Sequence, residues 1–298
     1  MAQIIDGRAI SNQIKEEVAE ESKKLFEETG VKPCLAVILV GEDPASQIYV
    51  RNKGRACDMC NVESVQHILP ADTSEKDLLE LIDQLNNDPK VHGILCQLPV
   101  PDHIDENKIL LAIDPGKDVD GFHPINVGRF MTLKSFEEIR SSGIFLPCTP
   151  HGCIELLERT GVELSGAHAV VVGRSNIVGK PVSLMLMSKN ATVTMCHSRT
   201  SDLPGIVRTA DVVVAAIGRP EFIKGDWIKK GAAVIDVGMN RIEDPTTEKG
   251  TRLVGDVEFA AAGENAAHIT PVPGGVGVMT IAMLMKNTLM SAKIAAAR

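Results

Sequence analysis

Tyr49 and Lys53 stand four residues apart in a stretch whose apolar spacing predicts a helix, so they share one face about a turn apart. Tyr49 is the only tyrosine in the chain. A tyrosine–lysine pair of this spacing also occurs on plain solvated helices. It gains meaning from Gln97-Leu98-Pro99, which closes an apolar run predicted as a buried strand. Open α/β folds gather ligand groups at the carboxyl ends of their strands. A lysine facing an uncharged amide in a closing cleft can exchange protons near neutrality. Asp118 and Asp120, in Lys117-Asp-Val-Asp-Gly121, add two carboxylates. On pattern alone this is equally a solvated turn. A lone carboxylate such as Asp120 can also accept two parallel N–H bonds from an amidine-like edge.

A second group of residues speaks of a dinucleotide. His168-Ala-Val-Val-Val-Gly-Arg-Ser-Asn-Ile-Val-Gly179 reads as a strand, a turn and a helix start. That order puts free backbone N–H groups and a helix dipole where a pyrophosphate can sit. A plain βα turn with surface arginines has the same pattern. A nucleotide-triphosphate loop does not fit, because five residues separate Gly173 from Gly179 where that loop has four, and Pro181 follows Lys180. The next strand ends in His197-Ser198-Arg199-Thr200, without the carboxylate that binds a free ribose 2′-hydroxyl. A hydroxyl and a guanidinium there, with Arg174 nearby, suit a 2′-phosphate, so NADP is expected rather than NAD. Pro271-Val-Pro-Gly-Gly-Val-Gly277 removes side chains where a flat ring could approach the backbone, and serves equally as a structural connection.

The elements that must carry these residues alternate between the helical and the strand period, as βαβ units require. Helices are expected over 8–29, from about 44 to 60, from Thr73 or Ser74 to Leu85, near 105–113, from Thr149 to about Thr160, over 179–189 and over 277–296. Strands are expected at 34–40, 64–69, 91–98, 168–172, 191–196, 211–217, 232–237 and 267–271. The stretch 115–150 has weak periodicity and reads as a boundary. Two lobes follow: residues 1–148, joined by a last helix over 278–298, and residues 149–277.

Bulk properties narrow the classes of function. The chain has 298 residues, 44% hydrophobic and 23% charged, within the range of a packed globular protein. A formal charge of −8 argues against a nucleic-acid partner, which needs a basic face. The seven cysteines are expected as buried free thiols; Cys57 and Cys60 form a CxxC, but no second pair completes a metal site, and none is expected. The amino-terminal stretch lacks the apolar core of a signal peptide, and no apolar run spans a bilayer, so the expected address is the cytoplasm.

Taken in order, these segments resemble the bifunctional methylenetetrahydrofolate dehydrogenase/cyclohydrolase family over almost the whole chain. The resemblance rests on Tyr49-Val-Arg-Asn-Lys53, Asn86-Asn-Asp88 with Gly93-Ile-Leu-Cys-Gln-Leu-Pro99, and Lys117-Asp-Val-Asp-Gly121. It continues through Pro147-Cys-Thr-Pro150, Val172–Gly179, Cys196-His-Ser198 and Pro271–Gly277. It implies two α/β lobes around a cleft, the second a Rossmann-like domain that binds NADP. It implies oxidation of 5,10-methylenetetrahydrofolate and hydrolysis of the methenyl product to 10-formyltetrahydrofolate, within one-carbon metabolism and the supply of purine biosynthesis. Lys53 would be the central group of the hydrolysis, Tyr49 would stack on or orient the folate, and Gln97 would hydrogen-bond Lys53. Cys96, Leu98, Asp120, Pro273, Gly274, Gly275, Val276 and Gly277 would complete the folate site. Gly173, Arg174, Ser175, Gly179 and Ser198 would hold NADP, with Met239 near the nicotinamide. A homodimer joined through the dinucleotide-binding lobes is also implied.

The chain departs from the family's pattern at three places. Val278 stands where the family has Pro, which would preset the first helical turn. Asn61 stands where the family usually has Gly, and Cys96 takes an apolar position before Gln97. Competing readings are a monofunctional, NAD-linked dehydrogenase, a different oxidoreductase such as a shikimate dehydrogenase relative, and a non-catalytic folate-binding protein. Lys53 and Gln97 speak against the first, as does Ser198. Gln97 and the Pro-Gly-Gly segment speak against the second, and the intact set of candidate residues against the third.

Overall fold

The computed structural model describes residues 1–247 and 250–297. In chain order the strands are β1 (Gln3–Ile4), β2 (Cys34–Val40), β3 (Glu63–Leu69), β4 (Gly93–Cys96), β5 (His168–Val172), β6 (Thr192–Cys196), β7 (Val212–Ala215), β8 (Ala233–Asp236), β9 (Asn240–Glu243), β10 (Thr251–Val254) and β11 (His268–Ile269). The chain forms two compact units, one of Asn12–Leu133, Glu137–Leu146 and Ile281–Arg298, the other of Met1–Ser11, Lys134–Phe136 and Pro147–Thr280. Arg298 itself lies outside the described residues.

The unit that carries Lys53 is built on a parallel sheet in the order β3-β2-β4. All seven residues of β2, Cys-Leu-Ala-Val-Ile-Leu-Val, are buried, as a central parallel strand covered on both faces requires. The helix Pro44–Met59 follows β2. Asp43 caps it by accepting from Ser46 N–H (2.7 Å), and Pro44 takes the first turn, where no N–H is needed. Asn61 ends the helix in the left-handed conformation (φ +54°), the position where Asn is the next-best residue after Gly. Ser74 caps the helix Glu75–Asn87, which buries Leu78, Ile82 and Leu85 against the strands. The last helix, Met279–Ala296, returns to this unit. There Asn287 donates to the carbonyls of Val119 (2.8 Å) and Leu146 (3.0 Å), and Ser291 to those of His92 (2.6 Å) and Gly116 (3.1 Å).

The other unit is a six-stranded, wholly parallel sheet in the order β1-β11-β8-β7-β5-β6. The strand that opens the series, β5, lies between β6 and β7, so the strand order reverses there and leaves the crevice where such sheets bind dinucleotides. An antiparallel hairpin, β9-β10, is appended after β8.

The structure departs from the sequence reading in instructive places. Gln3–Ile4 pairs with His268–Ile269 and so belongs to the six-stranded sheet, not to the first lobe. A two-residue edge strand carries no readable period. The stretch read as a boundary contains the helices Pro124–Thr132 and Phe136–Ser141, each too short to display three helical turns of apolar spacing. The hairpin β9-β10 and the helices Leu203–Val207 and Phe259–Asn265 also escaped the pattern. Strand 91–98 is regular only over Gly93–Cys96.

Candidate active site

Lys53 is buried, 8% exposed, on the helix after β2. Its Nζ donates to Gln97 Oε1 at 2.7 Å. Gln97 sits one residue beyond β4, and its backbone N–H extends the ladder to Ile38 (2.8 Å). Its Nε2 donates to the Leu98 carbonyl at 2.7 Å, so the amide oxygen is the atom left to accept from Lys53 Nζ. Tyr49, on the same helix, is 44% exposed. Cys96 is buried at the end of β4, and burial first, then the Glu106 charge, pushes its thiol up to about 12. At that value the thiol is neutral and acts as an apolar filler.

The two carboxylates of the Lys117–Gly121 loop take different parts. Asp118 is buried, and its backbone bridges to Ile94 beside β4. Its carboxylate accepts from the N–H groups of His123 (2.8 Å) and Phe122 (3.3 Å) and from Asn126 Nδ2 (3.0 Å). Burial raises its pKa, opposed by those donors. Asp120 is half-buried. Asp118 thus shapes the loop. Lys117 holds the same loop by donating to the carbonyls of Leu85 (2.9 Å) and Asp88 (2.7 Å).

In the other unit, Gly173 leaves β5 with φ +135°, and a Cβ there would run into the carbonyl oxygen of Ala216, just beyond β7. A Cβ at Gly179 would run into the Gly173 carbonyl. Both glycines are therefore demanded by backbone that closes on itself. Ser175 Oγ accepts from the N–H groups of Val178 (3.1 Å) and Gly179 (3.3 Å), which ties the turn to the start of the helix Gly179–Ser188. The backbone N–H groups of residues 174–177 make no hydrogen bond among the described residues. They form a cradle that fits a pyrophosphate. Arg174, Ser198 and Arg199 are exposed. The turn that bears the last two is fixed by His197, whose Nδ1 accepts from Arg199 N–H (3.1 Å) and whose own N–H donates to Thr200 Oγ1 (2.8 Å).

Met239 and the Pro271–Gly277 loop come together in this unit. A Cβ on Gly277 would lie 2.9 Å from Met239 Cε. Val272–Pro273 is a cis peptide, Gly274 is left-handed (φ +104°), and Gly275 is packed against Thr270 and Pro271. Two buried acids were not singled out from sequence, Asp236 at the end of β8 and Asp256 after β10. The available signal was an aspartate closing the apolar run Ala-Val-Ile-Asp, since a charged residue in a buried parallel strand is unusual. The CxxC is not a site of this kind. Cys57 and Cys60 are fully buried, with thiols pushed by burial to about 12 and about 11, and all seven cysteines are free and buried.

Residues 5–120 match the family model described as tetrahydrofolate dehydrogenase/cyclohydrolase, catalytic domain, and residues 147–296 match that of its NAD(P)-binding domain. The chain belongs to this family. Among relatives of this tetrahydrofolate dehydrogenase/cyclohydrolase, the bifunctional protein FolD 2 of Geobacter sulfurreducens is 58% identical over 295 residues, covering 99% of this chain and 98% of that protein. A Trypanosoma brucei methylenetetrahydrofolate dehydrogenase-cyclohydrolase, solved in complex with NADP cofactor and inhibitor, superposes with a TM-score of 0.91 at 43% identity over 100% of this chain and 99% of that one. The Campylobacter jejuni bifunctional enzyme gives 0.89 at 46% identity over 99% of both chains. The expected class, an α/β enzyme of two domains with a Rossmann-like nucleotide-binding unit, is the one observed.

Proposed function

We propose that the chain oxidises 5,10-methylenetetrahydrofolate with NADP and hydrolyses the 5,10-methenyl product to 10-formyltetrahydrofolate. The observation that carries this reading is the buried Lys53 held on Gln97, in the part of the chain that matches the family's catalytic domain. A dehydrogenase alone has little use for such a pair. NADP supplies the hydride acceptor when bound at the Gly173 turn, where residues 174–177 offer N–H groups and Arg174 and Ser198 take the 2′-phosphate. Oxidation needs no general acid or base, so the protein's task in it is to position the two rings. Tyr49 orients the pterin, Asp120 accepts from its amidine edge, and Cys96, Leu98 and Pro273–Gly277 line the folate. Met239 borders the nicotinamide.

In the hydrolysis, Lys53 takes a proton from water as the oxygen bonds to the methenyl carbon. It returns that proton to the ring nitrogen as the carbon–nitrogen bond breaks, while the adduct's hydroxyl gives up its own proton to solvent as the formyl C=O forms, so one proton is released overall. Gln97 keeps Nζ in place for both transfers. Purified enzyme given methylenetetrahydrofolate and either NADP or NAD should form the methenyl species, followed by its absorbance, faster with NADP. No methenyl species with either nucleotide would defeat the reading.

The reaction places the enzyme in one-carbon metabolism, upstream of steps such as purine biosynthesis that consume formyl groups. We also propose a cytoplasmic address; separately, no helix among the described residues is long and apolar enough to cross a membrane. A homodimer through the dinucleotide-binding unit is supported by β6, an open edge of the six-stranded sheet on which Met195 is exposed. Light scattering of the purified chain reads the stoichiometry directly.

A further inference from the structure

We infer that Asp256 is a positioning residue for the dinucleotide, acting through the backbone turns that leave β7 and β8. Its side chain is fully buried and touches no surface. One oxygen, Oδ2, accepts from the N–H groups of Ile217 (2.7 Å) and Gly218 (2.9 Å). The other, Oδ1, accepts from Arg219 N–H (2.9 Å) and Asn240 Nδ2 (2.9 Å). Three successive N–H groups converging on one anion form a backbone nest, the kind of concavity that elsewhere binds phosphate. Here the nest at the end of β7 is filled by the protein's own carboxylate. The neighbouring turn after β5 keeps its N–H groups for a ligand. The residue before the nest, Ala216, is the one whose carbonyl excludes any side chain at Gly173. A shift in 217–219 therefore moves the wall of the phosphate turn.

Asp236 ties the second turn to the first. Its Oδ1 accepts from the N–H groups of Gly238 (2.9 Å) and Asp256 (2.9 Å), and its Oδ2 from Val257 N–H (2.9 Å). Met239 lies between Gly238, held by Asp236, and Asn240, held by Asp256. Burying two carboxylates side by side is costly unless their acceptor sites are filled, and here the filling donors are the turns themselves. Hydrophobic packing would hold these strand ends as firmly; what the carboxylates add is a set position for each of six backbone N–H groups beside the nucleotide turn.

The inference rests on the dinucleotide lying at the Gly173 turn, and the test separates the two. In the full-length chain, Asp256→Asn offers one acceptor oxygen where two are used and sets an amide N–H against other donors. We expect the NADP Kd, read by fluorescence titration, to rise about tenfold or more, with a matching loss of dehydrogenase. Hydrolysis of 5,10-methenyltetrahydrofolate, assayed without nucleotide, should stay within about twofold of the parent enzyme. Asn240→Ala, which leaves both carboxylates and removes one donor, should move the NADP Kd the same way by less. Unchanged NADP affinity in folded Asp256→Asn overturns the inference. A parallel fall of both activities in the folded variant does so too, since Asp256 would then not act on the nucleotide in particular. If Asp256→Asn does not fold, Asn240→Ala decides, and an unchanged Kd there overturns it. Arg174→Ala with undiminished NADP binding would instead remove the nucleotide from this turn, and the inference with it.

Discussion

At the scale of residues, the hydrogen bond from Lys53 to Gln97 divides the two activities. Lys53→Met keeps the stem and removes the proton carrier. The hydrolysis should fall by ~10²–10⁴-fold, the usual contribution of a general acid–base group, while the nucleotide-dependent oxidation is reduced far less. Separate assays of the two steps check this, and equal losses would assign the lysine to binding. Asp236 gives a second prediction. Burial, with the adjacent Asp256 charge adding to it, pushes its pKa from the ordinary 3.8 up to about 6, against the pull of its three N–H donors. The folded state then holds the proton more tightly than the unfolded chain. The stabilisation from protonated Asp236 is complete below about pH 4 and is lost as the pH rises through 6, amounting to ~3 kcal/mol. Denaturant unfolding of parent and Asp236→Asn between pH 4 and 7 should show this slope in the parent and not in the variant.

At the scale of elements, turns and caps follow from backbone sterics. Gly173→Ala has no room beside Ala216 and cannot reach its φ without strain. It should destabilise by ~2 kcal/mol or more and weaken NADP, measured by thermal unfolding with and without the nucleotide. The helix end at Asn61 is gentler. Asn61→Ala should cost ~1 kcal/mol for a left-handed non-glycine residue, whereas Asn61→Gly should stay within about 0.5 kcal/mol. The cap at Ser74, the helix it starts and the central strands were legible in the sequence, because each depends on residues within a turn of itself, whereas the cap at Asp43 was read only as part of a turn. The segments 124–132 and 136–141 were not, since six to nine residues do not display enough of a helical period to rise above a Gly- and Pro-punctuated background.

At the scale of the whole molecule, the last helix is the clearest long-range dependence. Asn287 satisfies carbonyls 168 and 141 residues away, one of them inside the loop that carries Asp118 and Asp120. Asn287→Ala leaves those buried acceptors without this donor and should cost ~1–3 kcal/mol. Hydrolysis should be lost at a lower denaturant concentration than in the parent, which activity measured across a urea series would reveal. By itself the sequence determined the alternation of strands and helices, the glycine-bounded turn, the absence of a carboxylate at Ser198, and the pairing of Tyr49 with Lys53 on one helical face. All of these are properties of neighbours in the chain. The meeting of Lys53 with Gln97 across 44 residues was implied only by the family resemblance and is given its geometry by the tertiary structure, which alone decided that Asp118 is a structural group while Asp120 is half-buried. The tertiary structure alone gathered donors from two distant segments around Asp256 and paired Gln3–Ile4 with the far end of the chain. The reason is physical: local pattern sets which backbone conformation a residue takes, but burial and the choice of hydrogen-bond partner come from whatever segment the fold brings alongside it.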